Sequence, residues 1–469
     1  MNKDIFLTNS LGNKKAKFIP IDSKKIGMYV CGPTVYDNPH IGNARPLVVF
    51  DILFKVLKCK YGNNSVSYVR NITDIDDKTI RKSQQEKRSL MDFTNEYTQS
   101  FFDDLKMLSI IPAHHYPRAT DFVPQMIQMI QKLEEKGYTY STDDGSVFYK
   151  ISKFPDYGKL ANLNPDQLKS GDRVEDDEYG KEEGRDFALW KGYKKNDGDV
   201  YWGSPWGKGR PGWHIECSVM STQYLGNHFD IHCGGVDNIF PHHENEIAQS
   251  CAASDEPFVN YWLHNEHLLV DGQKMSKSLG NFYTLRDLLE KGFSPEALRY
   301  TLISTHYRSK LNFTFEKVKD SQKCINKLLE LKRRLKKVDS EGESKKDFSP
   351  TAVMLEKFSV KLGDDLNISG ALGELFTWVN GIFTELDDDR LVYCEAGEAL
   401  DALKKIDSVL GVLDYESVDI NEEIKNLIKT RNDARSNKNW AAADKARDTL
   451  DAMGILLEDT PDGTIWKKK

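Results

Sequence analysis

Residues 29–45 read Tyr29-Val30-Cys31-Gly32-Pro33-Thr34-Val35-Tyr36-Asp37-Asn38-Pro39-His40-Ile41-Gly42-Asn43-Ala44-Arg45. The apolar run Gly27–Val30 has strand character and breaks at Gly32-Pro33. The chain then passes through Asp37-Asn38-Pro39 and opens a long apolar-periodic run from Leu47 to Leu57. Strand, Gly/Pro-rich turn and helix in this order present a site at the carboxyl end of a strand in an α/β sheet. A thiol, Cys31, leaves the strand there. His40-Ile41-Gly42-Asn43 stands where backbone N–H groups at a helix start can meet phosphate. Taken alone, the same residues also suit a buried strand cysteine and a loop histidine, so partners elsewhere in the chain decide their meaning.

Working outward, Ser65–Thr73 alternates and is β-branched, which predicts a second strand ending in Asp74-Ile75-Asp76-Asp77. Strand, helix, strand, helix over the first hundred residues predicts a parallel βαβ unit. The three aspartates suit a metal, a ligand amine or the cap of the next helix. Asp121–Lys136 has helical periodicity. Tyr138–Ile151 reads as a hairpin around Asp143-Asp144-Gly145, and the acidic stretch Ser170–Glu183 follows, the pattern of an insertion. α/β texture returns at Trp213, which opens a helix. Phe229–His232 reads as a strand ending at Gly234-Gly235, Phe240–Glu246 opens another helix, and Tyr261–Val270 reads as one further strand. The loop Lys274-Met275-Ser276-Lys277-Ser278 comes next. Beyond Ser294 the pattern is helical, with a linker-like stretch at 339–350. The tail reads as a helix ending near Ser436, a helix from Trp440 to Met453, and a hairpin around Pro461-Asp462-Gly463.

A chain of 469 residues, 39% hydrophobic and 29% charged, has room for two to four domains and a large core. No apolar run approaches the roughly 18 residues needed to span a bilayer, so no membrane association is expected. The N-terminus lacks the pattern of a secretory signal. Seven scattered cysteines make no disulfide framework, which points to a reducing cytoplasm. A net charge of −7 argues against nucleic acid binding over the whole surface and leaves room for local basic patches.

His242 and Glu246 are spaced i, i+4 near a helix start and share one face. In a parallel sheet they, Cys217 and Cys31 fall on one edge. Two thiolates, an imidazole and a carboxylate suit Zn²⁺ better than Mg²⁺ or Fe²⁺. His232, Cys233, His243 and Glu244 are rival ligands that spacing does not rank. Lys274 and Lys277, flanking Met-Ser after a strand, can bracket a polyphosphate with mobile point charges.

Together, His40-Ile41-Gly42-Asn43 and Lys274–Ser278 resemble the HIGH and KMSKS signatures of class I aminoacyl-tRNA synthetases. Tyr29–Gly32, Asn71–Asp77, Gly212–Cys217 and Phe240–Glu246 are similar, string by string, to the cysteinyl-tRNA synthetase family, and the likeness runs on through Glu296–Arg299 and Trp440–Asp444 to the tail. The resemblance implies a Rossmann-type α/β catalytic domain over 1–310 with an insertion at about 115–205. It also implies a helical domain over 311–415 and a small anticodon-binding domain over 416–469. It implies ATP-dependent ligation of L-cysteine to tRNA(Cys) through cysteinyl-adenylate, by a cytoplasmic monomer. One Zn²⁺ would be held by Cys31, Cys217, His242 and Glu246, and Mg²⁺ would accompany ATP. His40, Gly42, Asn43, Lys274 and Lys277 would serve ATP and the reaction. Cys31, Thr73, Trp213, His232 and Asp237 would lie at the amino-acid pocket or near the nucleotide. Two departures stand out: the fourth HIGH residue is Asn43, an uncharged donor, and Cys233 replaces an expected glycine. The rival readings are an enzyme joining cysteine to an amino-sugar, which would not need the region after about Tyr415, and a non-catalytic paralogue, which would be expected to lose Lys277 or a zinc ligand.

The tail combines Arg431, Arg435, Lys438, Trp440 and Lys467 to Lys469, groups suited to stacking on and neutralising single-stranded RNA. Truncation after Tyr415 is expected to leave cysteine-dependent ATP–pyrophosphate exchange nearly intact while tRNA charging collapses. Equal loss of both activities would make the tail structural instead.

Overall fold

Ile26–Val30 is buried along its whole length, which places it inside a sheet covered on both faces. The computed structural model describes residues 4–163, 186–338, 349–413, 422–436, 439–453, 455–460 and 463–468. Four parallel strands lie in the order Val259–Asn265, Phe229–Gly235, Ile26–Val30, Val66–Arg70. The chain first steps outward from Ile26–Val30 to Val66–Arg70 and later resumes on the other side. The topological switch point therefore lies between Ile26–Val30 and Phe229–Gly235, and the site expected at the carboxyl ends of the strands falls there. The acidic stretch 170–183 and most of the linker-like stretch lie outside the described residues.

Side chains alternate across this sheet. Met28, Val30, Tyr68, Ile231 and Cys233 join the core beneath the Ile41–Tyr61 helix. Tyr29, Val69 and Trp262 pack on the other face with Ile215 and Cys217 of the Trp213–Leu225 helix and Ala248 of the Glu244–Ser254 helix. The Ile41 helix is apolar nearly all round because it lies between the sheet and the helical region, and it buries an unbroken run from Leu47 to Leu57.

The region expected to be an insertion contains an antiparallel five-stranded sheet, ordered Thr139–Ser141, Val147–Tyr149, Phe187–Gly192, Gly207–Pro211, Trp202–Ser204. Its Gly207–Pro211 strand extends past the expected limit of about 205. Tyr261–Val270 is not one strand. Val259–Asn265 belongs to the parallel sheet, and Leu268–Val270 pairs with Leu311–Phe313 and Gln273–Lys274 in another. The polar Asn265-Glu266 pair marks the break, with Glu266 N–H turned to Tyr307 O at 2.8 Å. The aspartates of 74–77 have structural partners: Asp74 binds Arg118 and Thr120, Asp76 caps the Asp77–Gln85 helix, and Asp77 binds Lys191 and Arg210.

Four helices, Phe315–Leu335, Pro350–Gly363, Ile368–Asp387 and Tyr393–Leu410, bury Leu328, Leu331, Phe358, Leu375, Val379, Leu403 and Ile406 in a core continuous with that under the Ile41 helix. In the tail, Glu422–Ser436 packs on Trp440–Ala452, followed by the hairpin Ile455–Thr460 and Gly463–Lys468. Trp440 is exposed, whereas Arg431 is buried and so unsuited to a phosphate contact.

One polar network joins the helical region to the Ile41 helix. Arg299 reaches Asp51 Oδ2, Leu410 O (2.6 Å) and Leu108 O (2.7 Å), while Lys55 Nζ stands 2.8 Å from the same carboxylate. All three charged residues are buried. Asp51→Ala would strand two buried cations, and breaking such an arrangement typically costs about 3–5 kcal/mol. Denaturant unfolding is expected to show a loss of that size. A loss within about 0.5 kcal/mol, the range of ordinary surface substitutions, would show that the network is dispensable.

Candidate active site

At the switch point Cys31 N–H donates to Cys233 O at 3.0 Å, the last pairing before the two chains part. Gly32 is needed here, since a Cβ would fall 1.7 Å from Asn71 O. Donor atoms of Cys31, Cys217, His242 and Glu246 all lie within 4.8 Å of one another. Cys31, His232, His243 and Glu246 satisfy the same distance. Glu246 Oε1 is 3.2 Å from His242 Nε2, and Glu246 Oε2 is 2.8 Å from His232 Nε2. His243 Nε2 is 3.3 Å from Cys31 Sγ.

Two of the four rivals drop out. Cys233 pairs in register with Val30 and turns its thiol into the core on the opposite face. Glu244 accepts from Gly158 N–H (2.7 Å) and Ala161 N–H (2.9 Å). His232 and His243 remain.

Burial sets the protonation of this cluster. It pushes the Glu246 carboxyl up to about 8 and the His242 and His232 imidazoles down to about 3. It raises Cys31 well above the ordinary thiol range, and Cys217 is raised as well, the pull of the Cys31 hydrogen bond being outweighed by burial and the Glu246 charge. Near neutral pH the cluster is therefore uncharged, and Glu246 Oε1, although 3.2 Å from His242 Nε2, makes no well-aligned hydrogen bond. A soft divalent cation fits these donors: it would reward deprotonation of both thiols and fill the gap at Glu246 Oε1. His214 Nδ1, 2.9 Å from His242 Nδ1, orients the imidazole as a supporting partner does at a metal centre. The ring of Trp213 stacks on that of His242 at 4.2 Å. Thr73 Oγ1 lies 3.1 Å from Glu216 Oε2, next to Cys217.

The second half of the site surrounds the start of the Ile41 helix. His40 is its N-cap, and His40 N–H donates to Asn43 Oδ1 at 3.3 Å, so Asn43 serves the cap. His40 is lowered by burial, against the Asp237 charge that raises it, and its Nδ1 has no hydrogen-bond partner. The helix start is held to the segment behind the lysine loop, with Ile41 N–H donating to Tyr283 O at 2.9 Å. A Cβ on Gly42 would meet Met275 Cε at 2.7 Å, so glycine admits the loop. Lys277 Nζ lies 2.8 Å from Asp37 Oδ2 and 5.0 Å from the Phe282 ring centroid. Lys274 is exposed, its backbone paired with Leu269. Asp237, on the turn following the Phe229 strand, is close enough for its charge to act on His40. His214 and Asp37 escaped sequence reasoning. His214 is i−3 to Cys217 and so shares its helix face, a legible signal, whereas nothing in the local pattern ties Asp37 to a loop 240 residues away.

Residues 17–323 match the family described as tRNA synthetases class I (C) catalytic domain, and residues 417–466 match the cysteinyl-tRNA ligase anticodon binding domain. The chain is 51% identical over 478 residues to a cysteine–tRNA ligase of Brachyspira hyodysenteriae, with 100% of each chain covered. It is 47% identical to that of Chlamydia pneumoniae, covering 98% of this chain and 97% of the relative. The chain belongs to the cysteine–tRNA ligase family. Among solved structures, the fold resembles a Mycobacterium tuberculosis methionyl-tRNA synthetase in complex with methionyl-adenylate (TM-score 0.60, 14% identity, 83% of this chain and 90% of that one). It also resembles a putative arginyl-tRNA synthetase from Campylobacter jejuni (TM-score 0.54, 14% identity, 83% and 93% covered). As a class I aminoacyl-tRNA synthetase the protein uses ATP, an amino acid and tRNA. Among the described residues no helix is long and apolar enough to cross a membrane.

The protonation pattern predicts how a metal would bind. Zn²⁺ added to chelator-treated protein near pH 7 should release about three protons, from Cys31, Cys217 and Glu246. Calorimetry in buffers of different ionisation enthalpy reads this number, and affinity should rise with pH. Cys217→Ser should remove one of these protons and weaken binding, whereas His243→Ala should spare it. The reverse ranking would select the His232/His243 set.

Proposed function

We propose that this protein attaches L-cysteine to tRNA(Cys) through a cysteinyl-adenylate, acting as a cytoplasmic monomer. The observation that carries the reading is the convergence of Cys31, Cys217, His242 and Glu246 beside His40, with Lys277 reaching Asp37 in the segment that leads into that histidine. The domain division into 1–310, 311–415 and 416–469 is part of the same proposal.

In the first step the cysteine carboxylate oxygen bonds to the α-phosphorus of Mg²⁺-bound ATP, and the bond to pyrophosphate breaks. The chain's contribution is positioning and charge stabilisation. His40, with its Nδ1 free of other hydrogen bonds, Gly42 and Asn43 receive the triphosphate, and Lys274 and Lys277 close on the departing pyrophosphate. Thr73, Trp213, His232 and Asp237 shape the amino-acid pocket and its border with the nucleotide. In the second step a terminal ribose hydroxyl of the tRNA takes the cysteinyl group, and no side chain is assigned as a dedicated base.

Cysteine and serine differ only by sulfur for oxygen, so an apolar pocket would separate them by about 1–3 kcal/mol. A Zn²⁺ held by Cys31, Cys217, His242 and Glu246 would deprotonate a coordinating thiol and bind the thiolate far better than a hydroxyl. Selectivity then resides in activation, and no editing site is required. The expected preparation contains one zinc per chain and forms almost no seryl-adenylate. Zinc-free protein that still preferred cysteine by several orders of magnitude would overturn this account.

The adenylation role of Lys277 is tested by Lys277→Ala. Removal of one contact that acts mainly in the transition state typically lowers the rate by about 10²–10³. Rapid-quench measurement of adenylate formation should show that loss with ATP binding little changed, and the opposite pattern would remove the lysine from this role.

A further inference from the structure

Lys82 stands outside both signature motifs, on the Asp77–Gln85 helix. Its Nζ lies 2.9 Å from Asp37 Oδ2, the same oxygen that receives Lys277 Nζ at 2.8 Å. Two ammonium groups thus share one carboxylate oxygen, leaving one positive charge uncompensated by that carboxylate. Lys82 Nζ also lies 5.1 Å from the Tyr36 ring centroid, and Lys78 Nζ lies 5.5 Å from it. Tyr36 and Asp37 belong to the segment that leads into His40.

As a stabilising device this arrangement is poor. The Lys277 side chain is 67% exposed, Lys82 32% and Asp37 29%, and ion pairs in such settings contribute little. As an anion site it is well formed. A terminal phosphate offers several oxygens and more than one negative charge, so it can take both ammonium groups where a single carboxylate oxygen holds them crowded. The mount is firm: the Lys82 helix is capped by Asp76, and Asp77 at its start is gripped by Lys191 and Arg210 of the insertion. Lys277, by contrast, rides on a short loop turn.

Resting on the proposed reading of this site as one that activates an amino acid with ATP, we propose that Lys82 binds the pyrophosphate end of ATP beside Lys277. Asp37 holds both lysines together and yields them when polyphosphate arrives. Lys277 follows the loop, and Lys82 is the fixed cation toward which that loop closes.

The test uses the full-length enzyme with inorganic pyrophosphate as probe. Lys82→Ala should weaken pyrophosphate in the reverse reaction and slow adenylate formation, each by about 100-fold, the lower end of the loss typical of one such contact. Transfer of cysteine to tRNA from preformed adenylate should be unchanged. Lys82→Arg, which keeps the charge, should restore most of the loss. Asp37→Asn should not reproduce the loss of pyrophosphate affinity. Wild-type pyrophosphate affinity in Lys82→Ala would overturn the proposal, and so would an equal loss in Asp37→Asn, which would show Lys82 acting only through Asp37. Lys277→Ala measured in parallel separates the two readings. Loss at Lys277 with none at Lys82 defeats only the Lys82 assignment, while no loss at either position defeats the adenylation reading itself.

Discussion

The hydrogen bond from Cys31 N to Cys233 O closes the pairing of two parallel strands whose chains then leave in different directions. Parallel strands cannot be joined by a tight turn, so each must exit its carboxyl end through a loop into a crossover. At this point one exit runs through Gly32-Pro33 to His40 and the Ile41 helix. The other runs through Gly234, Gly235 and Asp237 to His242 and the Glu244 helix. Because both exits start from the same edge, a thiol, a helix N-terminus and a histidine-rich turn are brought to one crevice. Glycine is required where the walls touch: a Cβ on Gly234 would lie 2.6 Å from His243 Cε1.

The groups collected there are costly to bury. His232, His242, His243, Glu246 and Cys217 are almost fully shielded, and burial drives each toward its neutral form. Mutual hydrogen bonding offsets part of that cost through the pairs His214–His242, His232–Glu246 and His243–His264, the last continued to Ser10 Oγ at 2.6 Å. Such a network is better suited to holding geometry than to adding stability. The side around His40 and Lys277 is built on the opposite principle. Lys277 is largely exposed, and it shares Asp37 Oδ2 with the partly buried Lys82. One half is buried and neutral, and the other presents exposed ammonium groups.

Much of this was legible from residue order. Strand, Gly/Pro turn and helix at Tyr29–Arg45 specify the first βαβ unit, and the i, i+4 spacing puts His242 and Glu246 on one face whatever else the chain does. The break between Asn265 and Leu268 was missed because an apolar run with two polar residues inside it is also a plausible single strand. The aspartates at 74–77 kept several readings open until Arg118, Lys191 and Arg210 came into reach. Arg431 reads as a surface cation in a polar helix, and only its neighbours bury it.

By itself the sequence determined the α/β class, the family and the residue types available for the chemistry, since periodicity and motif strings are local properties of the chain. Only the tertiary structure decided which of the rival ligands remained. Strand register turned Cys233 to the far face, and the backbone of the Tyr157–Ala161 segment claimed Glu244, whereas His232 and His243 came within reach of Cys31 and Glu246. The partnership of Asp37, Lys82 and Lys277 was likewise invisible beforehand. Contacts between residues 45 and 240 positions apart depend on how the crossovers return the chain to one sheet edge, and no local pattern encodes that distance.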